Sequence, residues 1–115
     1  MERRVVITGL GAISPLGENV EELWDGIKNT KCGIDEITLI DTSTFKTKLA
    51  GEVKNYEPTK YFEFKQSKRL DKVSQFAMIA AREAFLDSKI NEENTDYNNV
   101  GIYIGSGIGG FSTIE

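Results

Sequence analysis

Apolar residues along this chain fall into short blocks separated by polar and glycine-rich stretches, and the spacing inside each block predicts an element. Val5-Val6-Ile7-Thr8 is β-branched throughout and runs into Gly9-Leu10-Gly11, the pattern of a buried strand that ends in a tight turn. A helix is expected next. Asn19 with Glu22 three residues on is a variant of the capping box, and Val20, Leu23, Trp24 and Ile27 share one face at helical spacing up to Gly33. Residues 34–58 hold no long period and read as loop with one edge strand over Lys48 to Val53, ahead of Pro58.

The clearest period lies between Ser67 and Ser88, where Leu70, Val73, Phe76, Ala77, Ala80, Ala81 and Ala84 recur at helical intervals. It predicts one helix of about five turns at roughly 3.6 residues each. The middle, Phe76-Ala77-Met78-Ile79-Ala80-Ala81, is apolar all round, so the helix needs neighbours on several sides, and its alanines let them approach closely. Residues 91–99 are rich in Asn, Glu and Asp and read as an exposed connection. Val100-Gly101-Ile102-Tyr103-Ile104 is then a second core strand, opening into Gly105-Ser106-Gly107-Ile108-Gly109-Gly110. Two such strands and a helix without a polar face imply more covering structure than 115 residues supply. Residues 1–115 are therefore expected to form the front portion of one larger layered α/β domain, with no second domain and no internal repeat.

Composition narrows the chemistry. With no histidine, the chain can hold no Ser/His or Cys/His nucleophile pair, no His₂Cys₂ zinc site and no imidazole acid or base. A single cysteine excludes an internal disulfide. Met1-Glu2-Arg3-Arg4, followed by only three apolar residues, has neither the form of a signal peptide nor that of a membrane span, which makes a cytoplasmic protein the expectation. The net charge of −4 argues against generic nucleic-acid binding but permits a local basic patch.

Four features carry candidate chemistry, and each has a plainer reading. Gly9-x-Gly11-x-x-Ser14 follows a strand and precedes a helix, as a dinucleotide fingerprint does, but Ser14-Pro15 replaces the third glycine and the next suitable acid, Asp41, lies about 30 residues beyond Gly11 rather than about 20. Gly105, Gly107 and Gly110 do satisfy G-x-G-x-x-G, with Ile108 as the loop's one bulky apolar side chain. That loop could present amides to a phosphate or a hydrophobic plug to a pocket, or Ile108 could simply pack on the core. Lys65, Lys68 and Arg69 gather at the predicted start of the long helix, where the macrodipole disfavours cations. They read either as a solvated run offset by Glu63 and Asp71, or as a surface for an anionic partner. Cys32, at the end of the first helix between Lys31 and Gly33, has no histidine to act as its base and reads as incidental.

Taken together, the opening Val6-Ile7-Thr8-Gly9-Leu10-Gly11-Ala12-Ile13-Ser14-Pro15-Leu16-Gly17, the stretch Ala50-Gly51-Glu52-Val53, the helix from Arg69-Leu70-Asp71 through Asp87-Ser88 and the loop Gly105 to Gly110 resemble β-ketoacyl-acyl carrier protein synthases, most closely the elongating synthase II type. The resemblance implies a thiolase-like α/β fold of five alternating layers (αβαβα), of which this chain is an incomplete N-terminal piece, and usually a homodimer. It implies decarboxylative condensation of an acyl-enzyme thioester with malonyl-carrier protein, without a cofactor, a metal, nucleic acid or a membrane as partner. The nucleophilic cysteine and two histidines of the family lie beyond the stretch that this chain resembles, and Cys32 does not match the nucleophile's motif, so no catalytic residue is expected here. Two roles carry over by position. Lys65, Lys68 and Arg69 fall where the family docks acyl carrier protein, and Ile108 falls at the gate of the acyl pocket, with Gly107 and Gly109 giving that gate its mobility. A nucleotide-binding fragment using one glycine loop, and a non-catalytic carrier-protein-binding module, are the alternatives.

Overall fold

The structure is a computed structural model that describes residues 3–110, in two units: residues 12–57, and a second built from the chain up to Gly11 together with the chain from Pro58 onward. Met1, Glu2 and residues 111–115, which include the chain's end at Glu115, lie outside the described residues.

The unit of residues 12–57 is organised around a tight turn. Ser14 and Gly17 exchange backbone hydrogen bonds of 2.8 and 3.2 Å, and the Ser14 hydroxyl accepts from the Leu16 N–H at 3.2 Å. The two residues at the turn's tip serve as its packing centre. A methyl added at Gly33 would lie 2.9 Å from Pro15 Cβ, one at Gly51 3.1 Å from Pro15 Cγ, and one at the buried Gly26 3.1 Å from Leu16 Cβ. Glycine is what lets three segments close on Pro15 and Leu16.

Helix α1 (Val20–Lys28) begins as its capping signal predicts, with Asn19 Oδ1 accepting from the Glu22 N–H at 2.8 Å. Glu22 reaches back one residue further than the usual box, taking the Glu18 N–H at 2.8 Å. The helix stops at Lys28 rather than near Gly33, because Asn29 caps it and Thr30 turns left-handed at φ 52°. The edge strand expected over Lys48 to Val53 is present as β2 (Leu49–Gly51), and it has a partner that periodicity did not indicate. This is β1 (Ile34–Glu36), antiparallel with Ile34 opposite Gly51 and Glu36 opposite Leu49. Three residues are too few to display an alternation, and β1 is exposed at each of them. Glu52 fastens the connection by accepting from the backbone N–H and hydroxyl of Thr38 at 3.0 and 2.8 Å.

The second unit departs from expectation in two places. The single long helix is two, α2 (Phe64–Arg69) and α3 (Lys72–Ser88), with Leu70 and Asp71 in extended conformation between them. Asp71 is the N-cap of α3, its Oδ1 accepting from the Val73 N–H at 3.1 Å. Gln75, 5% exposed, donates from Nε2 to Ser67 O at 2.9 Å and Leu70 O at 2.8 Å, satisfying carbonyls that the end of α2 leaves open. The other departure concerns the β-branched runs. Among the described residues neither Val5–Thr8 nor Val100–Ile104 forms a strand, and both are exposed, with Val5 at 91% and Ile102 at 82%. A strand exists only through a ladder with a neighbour, and no described residue pairs with either run. Ile79 on α3, 7% exposed, is the one buried large apolar side chain among the described residues.

The close approach expected of the alanines is present. Gly9 lies against the backbone of α3 at Ala84 and Ser88, and Gly11 against Ala80 and Ala84, so closely that a methyl at either would overlap helix backbone. The periods match: four residues of helix advance about 6 Å, and two of extended chain about 6.6 Å. The Leu10 N–H between the two glycines donates to Asp87 Oδ2 at 2.9 Å.

Candidate functional sites

Two of the predicted sites are on the second unit, and the structure changes the reasoning behind one of them. Lys65, Lys68 and Arg69 are exposed on α2 instead of at the start of the long helix, and Lys68 and Arg69 occupy its last turn. Cations are favoured at a helix C-terminus, so the electrostatic anomaly inferred from sequence disappears. The three share a face at i, i+3 and i+4 spacing, and α2 contains no acidic residue. Their surface is rigidly founded, because the carbonyls beneath them are held by Gln75 and the Ser67 hydroxyl donates to Phe64 O at 2.9 Å. Phe64, 66% exposed, carries the Lys68 ammonium 5.6 Å from its ring centroid.

The glycine loop is open. Methyl groups added at Gly105 or Gly107 would meet nothing within 4 Å, and Ile108 is 76% exposed, so Ile108 does not pack on a core among the described residues. Gly109 sits at φ 77°, a conformation that favours glycine, and its N–H donates to the Ser106 hydroxyl at 3.0 Å. Gly107 has no such backbone requirement, leaving Gly109 as the residue that sets the turn after Ile108. Gly110 lies directly against the Asp71 carboxylate.

The first glycine cluster is committed elsewhere. Gly9 and Gly11 are pressed on α3, the Leu10 N–H between them is taken by Asp87, and Ser14 closes a turn onto Gly17, so packing accounts for the glycines of this cluster. Cys32 is exposed beyond α1, with its thiol 3.6 Å from Ile34 O. Among the described residues no group of three His, Cys, Asp or Glu side chains could hold a metal ion. Nor is any helix of the described residues long and apolar enough to cross a membrane. Sequence reasoning missed Gln75 and gave Asp71 only a charge-balancing role. An aspartate just before an apolar helical run was the available signal for the second.

An extended segment seated through glycines on an alanine-striped helix, followed by a polar connection and a glycine loop, defines the class: this is the N-terminal part of a thiolase-like α/β fold. The chain belongs to the β-ketoacyl synthase family, residues 2–115 matching the description "Beta-ketoacyl synthase, N-terminal domain". It is 42% identical over 113 residues to 3-oxoacyl-[acyl-carrier-protein] synthase 2 of Staphylococcus aureus (strain N315), covering 98% of this chain and 27% of that protein. Against the protein of the same name from Coxiella burnetii it is 44% identical over 114 residues, covering 99% and 28%. Among solved structures it resembles the ishigamide ketosynthase/chain length factor with a TM-score of 0.70 and 35% identity, over 82% of this chain and 23% of that one. The chain thus spans about a quarter of the length of the relatives it matches.

Proposed function

We propose that residues 1–115 are the N-terminal part of a single-domain, homodimeric, cytoplasmic 3-oxoacyl-acyl carrier protein synthase that elongates fatty acyl chains. The observation that carries this is the 42% identity to a synthase 2 across 98% of the chain. In that reaction an acyl group passes from carrier-protein thioester to an enzyme cysteine, expelling the carrier thiol. Malonyl-carrier protein then loses CO₂, and the electron pair left on its α-carbon attacks the acyl carbon, releasing the cysteine thiolate and forming the 3-oxoacyl product. The nucleophile and the groups that stabilise the developing oxyanions belong to sequence outside these residues. This part supplies Lys65, Lys68 and Arg69 to the docking of acidic acyl carrier protein, and Ile108, with Gly107 and Gly109, to the gate of the acyl pocket.

The test compares the 115-residue chain with the full-length protein in an assay with acyl- and malonyl-carrier protein. The chain alone is expected to be inactive and the full-length protein active. Exchanging Lys65, Lys68 and Arg69 together for Glu should raise KM for carrier protein steeply, and the parent's KM should rise with salt. Condensation by the chain alone, or saturable binding of NAD, NADP or ATP, would contradict the reading.

A further inference from the structure

The charged face of α2 has a hydrophobic member. At helical spacing Phe64 and Lys68 form one row and Lys65 and Arg69 the adjacent one, so the ring sits within the cationic cluster. Phe64 is 66% exposed, and the Lys68 ammonium lies 5.6 Å from its centroid, which orders the ring and the cation against each other. A partner held only by charge gains attraction and orientation, whereas affinity at a protein interface is concentrated in a few desolvated aromatic or Arg anchors surrounded by polar contacts.

From this we infer that Phe64 is the apolar anchor of the docking face, and that its occupant is an acidic segment of the carrier protein presenting an apolar side chain beside its carboxylates. Charge complementarity selects this occupant: α2 offers three cations and no acid, which suits a partner surface rich in carboxylates. The carboxylates meet Lys65, Lys68 and Arg69, and the apolar side chain covers the ring. Excluding water from the ring also strengthens the neighbouring ion pairs. The inference rests on the docking reading above.

The experiment measures KM for carrier protein and kcat in the full-length synthase at about 0.01 and 0.15 M salt, between which the screening length falls from about 30 to 8 Å. Phe64→Ala is expected to raise KM about tenfold by the same factor at both salt concentrations, with kcat, oligomeric state and melting temperature unchanged. Phe64→Leu, which keeps apolar bulk, should recover most of that loss. The triple charge reversal should raise KM chiefly at low salt. If the triple variant raises KM and Phe64→Ala does not, the anchor is refuted while docking stands. If neither changes KM, the docking reading itself fails. Loss of folding or of the dimer in Phe64→Ala, with Phe64→Leu behaving the same way, would show that the ring is covered by the synthase or by its second copy, and would overturn the proposal.

Discussion

Gly9 and Gly11 show how a residue can be read as structural without its contact being visible. The sequence reads both as a tight turn after an extended run, with a nucleotide fingerprint that is incomplete at Ser14-Pro15. The structure supplies the backbone of α3 at Ala80, Ala84 and Ser88. A one-dimensional pattern records that a side chain is missing but not what fills the space, and the alanine stripe about 70 residues away gave the other half of the contact. The consequence is measurable. Gly11→Ala would drive a methyl into the Ala80 carbonyl, and urea unfolding of the helical circular-dichroism signal should show a loss of about 1–3 kcal/mol. Gly105→Ala, where nothing lies within 4 Å, should change stability by less than about 0.5 kcal/mol. Equal midpoints for the two variants would mean that Gly11 is not a packing contact.

At the scale of elements, the long helical period was legible and its interruption was not. Leu70 and Val73 stay in phase with Phe76 and Ala77, so the apolar pattern runs straight across a break that is made by polar groups. Asp71 restarts the helix and Gln75 binds the carbonyls left behind. Gln75→Leu keeps the bulk but strips both hydrogen bonds, and should cost about 1–3 kcal/mol and loosen α2, seen as faster amide exchange over residues 68–70 than in α3. The β1–β2 hairpin depends on a carboxylate instead. The Thr38 N–H, above all, holds the Glu52 carboxyl below its ordinary value of 4.5 against an opposing contribution from desolvation, and the Thr38 hydroxyl and Leu39 N–H add to the lowering. A depressed pKa in the folded state means that this closure contributes fully above 4.5 and is lost as pH falls through the lowered value. The amide shifts of Thr38 and Leu39 should therefore titrate together with Glu52 in acid by NMR. In Glu52→Gln that transition should vanish, and its persistence would assign it to Asp35 or Asp41.

Across the whole molecule, the β-branched runs were the strongest basis for the layered fold, yet they are the segments that the described residues leave bare. Ile7 and Ile102 are each 82% exposed and Tyr103 is 96% exposed, next to backbone without a ladder partner. The strand propensity is real, but a strand is completed by its neighbours, and this chain spans 27% of the length of the Staphylococcus aureus synthase it matches. Open, apolar, extended segments recruit other chains and apolar dyes. The 115-residue chain should accordingly bind anilinonaphthalene sulfonate and associate with increasing concentration, and Ile7→Lys with Ile102→Lys should reduce both while leaving its helical signal intact. In the full-length synthase the same pair would place two ammonium groups inside a covered sheet, where an unpaired charge costs several kcal/mol, and folded protein should be lost. The sign of the effect thus reverses between the two lengths. If the double variant is tolerated equally in both, these runs are not core strands of the completed fold, and the layered arrangement inferred from them falls with that result.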